Sequence, residues 1–322
     1  MLYQSDGNSN HPIMRFLLFF IQSGVNRIAL EFRKKDEISC SLELNLMNIS
    51  LKILIIAAWL TFVPLTGRAS ENAISFGINP YANPSVIFEN FKPLADYLSN
   101  QIGITVRITI ASNYVRHIIN LGTGKIDIGY AGPSPYVKIR DKFGTIEPLA
   151  KIKMKNDVND RMVIVTHKNS GIEKLADLKS KTFVFGNHQS FGSHFMSRYI
   201  LSKNGIQLKD LMGYDCATSH DNVVLSVLHE DFEAGGMRED IYLKHQDGSL
   251  KIIYGPISIP PHVIVSRSSL AEDIKRKIRH ALLRLKDPSV LASINMSMEG
   301  FLPVSDSEFD PAREVINYME SR

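Results

Sequence analysis

Thr182-Phe183-Val184-Phe185-Gly186-Asn187-His188-Gln189-Ser190-Phe191-Gly192-Ser193-His194-Phe195 reads as a short apolar strand emptying into a loop of small, hydroxyl-bearing and glycine residues. Beyond the loop, Phe195, Met196, Tyr199, Ile200 and Leu201 continue the apolar pattern at helical spacing. A strand, a small polar loop and a helix N-terminus together suit an anion, because unpaired backbone N–H groups point outward and the helix dipole favours negative charge. Ser190 and Ser193 would add hydroxyl donors, and Gly192 would let an oxyanion approach the backbone. The same residues also fit a plainer reading, in which Ser190 is only an N-cap and Gly192 is incidental to the first turn. The segments on either side bear on the choice.

Upstream, Ala73–Ile78 reads as a buried strand closed by the proline-punctuated loop Asn79–Pro84. A helix is expected over 85–100, with Val86, Phe88, Phe91, Leu94, Ala95 and Leu98 as its apolar positions. Ile104–Ile110 is a strand, 113–121 a helix ended by Gly122 and Gly124, and Ile126–Tyr130 a strand leading through Ala131–Tyr136 into a third helix. This βαβαβα order argues for a parallel, doubly wound sheet. A second βα set follows: strands at Met162–Val165 and Thr182–Phe185, a strand-like piece ending at Cys216, a helix over 222–228, and a strand from Phe232 into Gly235–Met237. Ile252–Tyr254 and Val263–Val265 flank a proline-rich crossing, and helices are expected over 270–285, 288–295 and from Pro311. Two lobes result, one assembled from both ends of the chain, with Met162–Thr166 and Ile253–Val265 as crossing strands. Ligands of such sheets bind at the carboxyl ends of strands. Asn79–Pro84, Ser112–Tyr114, Tyr130–Tyr136, Asn187–His194, Ser219–Asp221 and Gly235–Met237 all fall there and would line one cleft, which favours the anion reading of the opening loop.

The bulk properties exclude several classes. At 322 residues and 44% hydrophobic, the chain can bury a core of more than one lobe. A formal charge of +4, without clustered basic and aromatic residues, gives no footprint for nucleic acid. Met47–Lys52 is a short basic start, Ile53–Val63 an apolar run too short for a membrane span, and Gly67-Arg68-Ala69 a small-residue cleavage site, so 47–69 reads as a secretory signal peptide. Met47 is then the expected true start and 1–46 a non-native extension; an uncleaved anchor at Ile53–Leu65 is the competing reading. No cysteine follows the apolar run, so no lipid anchor is expected. Residues 1–69 carry seven of the basic and five of the acidic residues, which leaves 30 against 28. Cys216 is then the only cysteine, expected buried and free; Cys40 falls in the extension. There is no Gly-x-Ser-x-Gly elbow, His167, His188, His194 and His220 show no helical pairing with acids, and no nucleophile–base pair stands out. No enzyme, metal or cofactor is therefore expected.

In order and spacing the mature chain resembles the phosphate/phosphite/phosphonate substrate-binding proteins of ABC transporters. The matching pieces are Phe76-Gly77-Ile78 with Pro80-Tyr81, Phe91–Leu98, Tyr114 before Ile118-Ile119, Asp127–Val137, Phe185-Gly186-Asn187 with Ser190 and Ser193-His194, Ser219–Asn222, and Phe301–Val304. The resemblance implies a two-lobe periplasmic binding protein of type II (a Venus flytrap) with mixed sheets and helices on both faces. It implies lobe 1 at 70–162 and 255–322, and lobe 2 at 163–254. It further implies a periplasmic monomer that closes on a small oxyanion and delivers it to an ABC permease in the inner membrane. The alternative is a binding protein that senses its ligand and signals through a membrane partner. Residue by residue, Tyr114 matches a ligand-contacting tyrosine, Ser190 and Ser193 match hydroxyls of the loop, and His220 matches a cleft histidine. Phe191 and Gly192 stand where the family commonly carries hydroxyls, so the headgroup would rely more on backbone N–H groups. Pro260-Pro261-His262 lacks the acid of aminoalkylphosphonate binders, a role Glu239 or Asp240 could partly fill. Tyr81, Tyr130, Gly132, Ser134 and Asp221 complete the candidate ligand set, with Tyr136 assigned to the core. Asp221 also fits a helix cap; facing an anion, its carboxylate would be repulsive unless the anion carries a proton to donate.

Overall fold

The computed structural model describes residues 73–155, 161–245 and 248–321. The expected extension 1–46, with Cys40, and the expected signal peptide 47–69 lie outside the described residues. Among the described residues no helix is long and apolar enough to cross a membrane.

The first sheet takes strands from both ends of the chain. β1 (Ile74–Ile78), β2 (Val106–Ile110), β3 (Ile128–Ala131) and β4 (Ile146–Met154) come from the N-terminal side, β10 (Val263–Arg267) and β11 (Met298–Leu302) from the C-terminal side. Their order is β11-β4-β10-β3-β1-β2. The second sheet holds β5 (Arg161–His167), β6 (Thr182–Phe185), β7 (Gly213–Cys216), β8 (Ala234–Arg238) and β9 (Leu250–Ser258), in the order β7-β6-β8-β5-β9. β5 and β9 lie wholly in this sheet, paired from Arg161 opposite Ser258 to His167 opposite Leu250, so both strands that contain the expected lobe limits belong to it. The chain leaves the first sheet after β4 and returns to it between β9 and β10, through 259–262; the return falls within the expected crossing segment Ile253–Val265, and the outward passage comes ahead of the expected Met162–Thr166.

Both sheets are mixed. β1 pairs in parallel with β2 and β3, and β6 with β7 and β8, as the alternation of strand and helix predicts. β10 runs antiparallel to β3 and β4, β11 to β4, and β5 to β8 and β9, which makes the sheets mixed, as the family resemblance implies; the parallel part is the one read from the N-terminal βαβαβα order. The extra strands β4 and β11 escape sequence reading because IEPLAKIKM and MEGFL interleave proline, glycine and charge with their apolar residues.

Helix boundaries follow local chemistry. α1 (Pro84–Ile102) starts behind Asn83, whose side chain accepts from Ser85 N, with Pro84 pre-set in the first turn, and stops at Gly103 in the left-handed conformation (φ 71°). Its buried stripe is Ile87, Phe91, Leu94, Ala95, Leu98 and Ile102; Val86 and Phe88, expected inside, stay exposed at 49% and 42%. α2 (Tyr114–Gly122) is capped by Asn113, whose side chain accepts from Arg116 N at 2.8 Å. α3 (Pro133–Phe143) begins with proline behind Gly132. A π-helical turn, Phe191–Met196, leads into α4 (Ser197–Lys203). α5 (His220–Leu228), α6 (Glu239–Lys244), α7 (Glu272–Arg284), α8 (Pro288–Ile294) and α9 (Asp310–Glu320) complete the set.

Apolar clusters lock these layers. Phe76, Ile78, Phe91, Leu94 and Leu98 pack α1 on the first sheet together with Ile278 and Leu282 of α7. Phe183, Phe185, Phe191 and Phe195 belong to a second cluster that also holds Tyr136 and Phe309. Asp127, part of the Asp127–Tyr130 motif, is structural: it accepts from Ser75 N (2.8 Å), Ser75 Oγ (2.6 Å) and Arg267 Nε (2.8 Å), pinning the starts of β1 and β3 to the end of β10.

Candidate functional site

The carboxyl ends of β1, β3, β6, β7 and β8 converge where the two sheets face each other. A cavity of about 150 Å³ lies there, walled by Tyr81, Asn90 and Tyr130 from the first sheet's elements and by His220, Asp221, Arg238 and Asp240 from the second's. His262, in the crossing segment after β9, closes it, with Ile152, Met154 and Met298 as an apolar floor. Beside it lies a tight recess lined by Tyr81, Tyr114, Asn187, Ser190, Thr218, Ser219 and His220. Tyr81 and His220 line both spaces, so the recess adjoins the cavity, although in this structure it is too tight to hold even a water molecule.

The recess is rich in hydroxyls whose protons are still free to point into it. Tyr114 is buried, its hydroxyl accepts from Asn79 Nδ2 at 3.2 Å, and its own proton is therefore left to donate. Burial pushes the Tyr114 phenol up to about 12, so it stays a donor at every physiological pH. Ser190 Oγ accepts from Ser193 Oγ at 2.8 Å, again leaving a proton to give. His220 is half-buried, with its Nδ1 atom buried and lacking a partner, and desolvation first, then the Arg238 guanidinium, depress its pKa to about 4. It is a neutral imidazole facing the ligand space. The structure thus answers the N-cap question: Ser190 makes no side-chain capping bond, and the hydroxyl belongs to the recess.

Arg238 and Asp240 form an ion pair in the wall of the cavity, which Asp221 and Lys244 also line. Arg238 Nε donates to Asp240 Oδ1 at 2.8 Å and Nη2 to Oδ2 at 2.5 Å, a bidentate pair with both side chains 15% exposed or less. Burial alone would raise the Asp240 carboxyl, but the guanidinium outweighs it and holds the acid below its usual range. His262 stacks on Tyr130 with ring centroids 5.1 Å apart and 13° between planes. Burial, with Arg238 and His220 nearby, lowers the His262 pKa to about 3, so it too is neutral.

Not every expected residue reaches the site. Tyr81, Tyr114, Tyr130, Ser190, His220 and Asp221 come together there. Gly132 contributes room: a methyl group on it would stand 3.1 Å from His262 Nε2. Ser193 is fully buried behind Ser190, over Gly186, where an added Cβ would lie 2.0 Å from its Oγ; it orients Ser190. Phe191 is turned into the apolar core, and a Cβ on Gly192 would stand 3.3 Å from Ile259 Cδ1 and 3.6 Å from Met162 Cβ, so the Cα side of this glycine packs on protein. Ser134 is fully buried at the start of α3 and lines neither space; its hydroxyl has no partner. Asp221 is not the cap of α5: Ser219 is, its Oγ accepting from Asn222 N at 3.2 Å, which leaves Asp221 in the first turn beside the cavity. Tyr136 is in the core, its hydroxyl donating to Asp306 at 2.5 Å. Sequence reading missed Arg238 and His262. Gly235–Met237, expected as a loop, lies within β8, so the strand ends one residue beyond it, on Arg238.

Residues 76–309 match the family described as the periplasmic substrate-binding protein of the phosphonate ABC transporter. The chain belongs to that family. Over 270 residues it is 23% identical to the phosphonates-binding periplasmic protein of Escherichia coli (strain K12), with 80% of each chain covered. Among solved structures it is similar to PhnD1 of Prochlorococcus marinus (MIT 9301) in complex with methylphosphonate, with a TM-score of 0.70, 19% identity, and 78% of this chain and 99% of that one covered. A binding protein component of an ABC phosphonate transporter from Pseudomonas aeruginosa gives 0.68 at 21% identity, covering 77% and 86%. At these identities the structural likeness speaks to the fold, which is that of type II periplasmic binding proteins. Family members are solute-binding proteins of transport systems, and the family is periplasmic.

Proposed function

We propose that the protein captures a small phosphate-like oxyanion (phosphonate, phosphite or phosphate) in the cleft, where the cavity meets the hydroxyls of the recess, and passes it, by opening and closing of the two lobes, to an ABC permease of the inner membrane. The observation that carries this reading is the convergence of two free hydroxyl protons, from Tyr114 and Ser190, with the orphaned Nδ1 of neutral His220 in one desolvated recess beside Arg238. Donors in a water-poor pocket replace an anion's hydration without a large net charge. A substituent on phosphorus would lie in the adjoining cavity, against Tyr81, Tyr130 and His262. Asp221 lines that cavity as well, and a carboxylate is tolerated beside an anion when the anion still carries a proton to donate; phosphate and phosphonate monoanions do, sulfate does not. Binding is therefore selective against sulfate. In this reading the protein acts as a monomer without catalysis or cofactor, and reaches the periplasm through the 47–69 signal peptide.

The hydroxyl variants test the assignment. Ser190→Ala and Tyr114→Phe should each weaken methylphosphonate binding by roughly 1–3 kcal/mol, the cost of removing a donor from a buried anion, with secondary structure by circular dichroism unchanged. Unaltered affinity in both variants would remove the recess from the ligand path.

A further inference from the structure

The parallel pairing of β6 with β7 places Phe185 opposite Cys216 and so brings the loop after β6 against the end of β7. Three side chains that do not line the cleft meet there: His188, His194 and Cys216. One ligating atom from each lies within 4.8 Å of the other two. Cys216 Sγ stands 3.6 Å from His194 Nδ1, and the two imidazoles meet edge to face with centroids 5.1 Å apart. A tetrahedral ion with bonds of about 2.0–2.3 Å holds its ligand atoms about 3.3–3.6 Å apart. The Cys216–His194 pair already has that spacing, and His188 has about 1 Å to travel. It can travel, being exposed on the irregular stretch between β6 and the π-helical turn, whereas His194 is buried in that turn and Cys216 is fixed by the sheet. A thiol–imidazole hydrogen bond would account for two of these residues but gives no reason for the third.

We propose that His188, His194 and Cys216 form a site for a borderline transition-metal ion, Zn²⁺ being the probe of choice, with three protein ligands and an open fourth position. The donor set of one thiolate and two imidazoles suits Zn²⁺, Co²⁺ or copper and is wrong for Ca²⁺ or Mg²⁺, which take oxygen ligands. Binding replaces the thiol proton by the metal and releases that proton to solvent, with no change of oxidation state. Arg198 and Lys138 bring positive charge near His194, and Arg198 also faces Cys216. The thiolate offsets part of this charge and Asp215, beside Cys216, offsets more, so the site depends on the sulfur ligand. The site stands independently of the oxyanion reading, since none of its three ligands lines the cavity or the recess.

Co²⁺ titrated into the purified, untagged and reduced full-length protein should produce tetrahedral visible bands together with a thiolate charge-transfer band, saturating at one ion per chain and bleached by Zn²⁺. Cys216→Ser should abolish the charge-transfer band. His188→Ala changes an exposed residue and leaves the core intact; it should weaken Co²⁺ binding by at least the roughly tenfold that loss of a mere outer-shell partner costs. Zn²⁺ should raise the thermal unfolding midpoint of the unaltered protein but not of Cys216→Ser. A colourless titration, or bands that persist in Cys216→Ser, would overturn the proposal.

Discussion

Arg238 shows what a single residue contributes at the cleft. Its guanidinium is the cation that keeps Asp240 ionised in a buried wall of the cavity, and it adds to desolvation, the larger cause, in holding down the pKa values of His220 and His262. Removing it leaves a buried carboxylate without its partner, which costs far more than the pair contributes. Arg238→Gln should therefore lower the unfolding free energy by about 3–5 kcal/mol, while Arg238→Met combined with Asp240→Leu should recover most of the loss; urea titrations of the three proteins decide it. A single variant as stable as the parent would mean that water, not the guanidinium, solvates Asp240. At this scale the sequence was partly legible. Tyr81, Tyr114, Ser190 and His220 were found because they follow strand ends. Arg238 was passed over because three small or flexible residues, Gly235-Gly236-Met237, looked like a loop when they are strand. His262 was read only for the acid that its segment lacks, not for the flat ring that stacks on Tyr130.

At the scale of elements, periodicity located what is regular and missed what depends on partners. The parallel strands β1, β3 and β6 are short apolar runs and announce themselves; β4 and β11 are recognisable only once each lies beside the other and beside β10. Phase is a second limit: α1 was placed correctly, yet Val86 and Phe88 face outward because the buried stripe begins at Ile87. The glycines of β8 have a packing reason that the sequence does not display. A Cβ on Gly235 would stand 2.8 Å from Val184 Cγ1 and 3.0 Å from Cγ atoms of both Val223 and Val227, so α5 can lie this close to the sheet only over glycine. Gly235→Ala should cost about 1–3 kcal/mol through overpacking, read as a lowered denaturation midpoint. Since α5 carries Ser219 and His220 at its start, the same change should also weaken ligand binding; full stability and full affinity together would contradict the packing account.

For the whole molecule, the two-lobe plan was legible because one lobe's strands come from both ends of the chain, and the resemblance to a transport family followed from the order of the strand-end loops. Three desolvated histidines, one buried and two half-buried, make a further property of the fold measurable. His117, His220 and His262 all have folded-state pKa values far below the ordinary 6.5, at about 4, 4 and 3, with burial as the main cause. Between pH 6.5 and about 4 the unfolded chain therefore binds protons that the folded chain refuses, so stability is full above 6.5 and is lost as the pH falls through that window. Thermal melts across this range should show a steadily falling midpoint; a flat profile down to pH 4 would mean that these imidazoles are hydrated. The central claim, capture of a protonated phosphate-like oxyanion, is tested most directly by calorimetric titration of purified residues 70–322 with methylphosphonate, phosphite, phosphate and sulfate. Saturable one-site binding of at least one of the phosphorus oxyanions, with sulfate weaker than all that bind, is the predicted result; no saturable binding by any of the four, or sulfate bound most tightly, would contradict it.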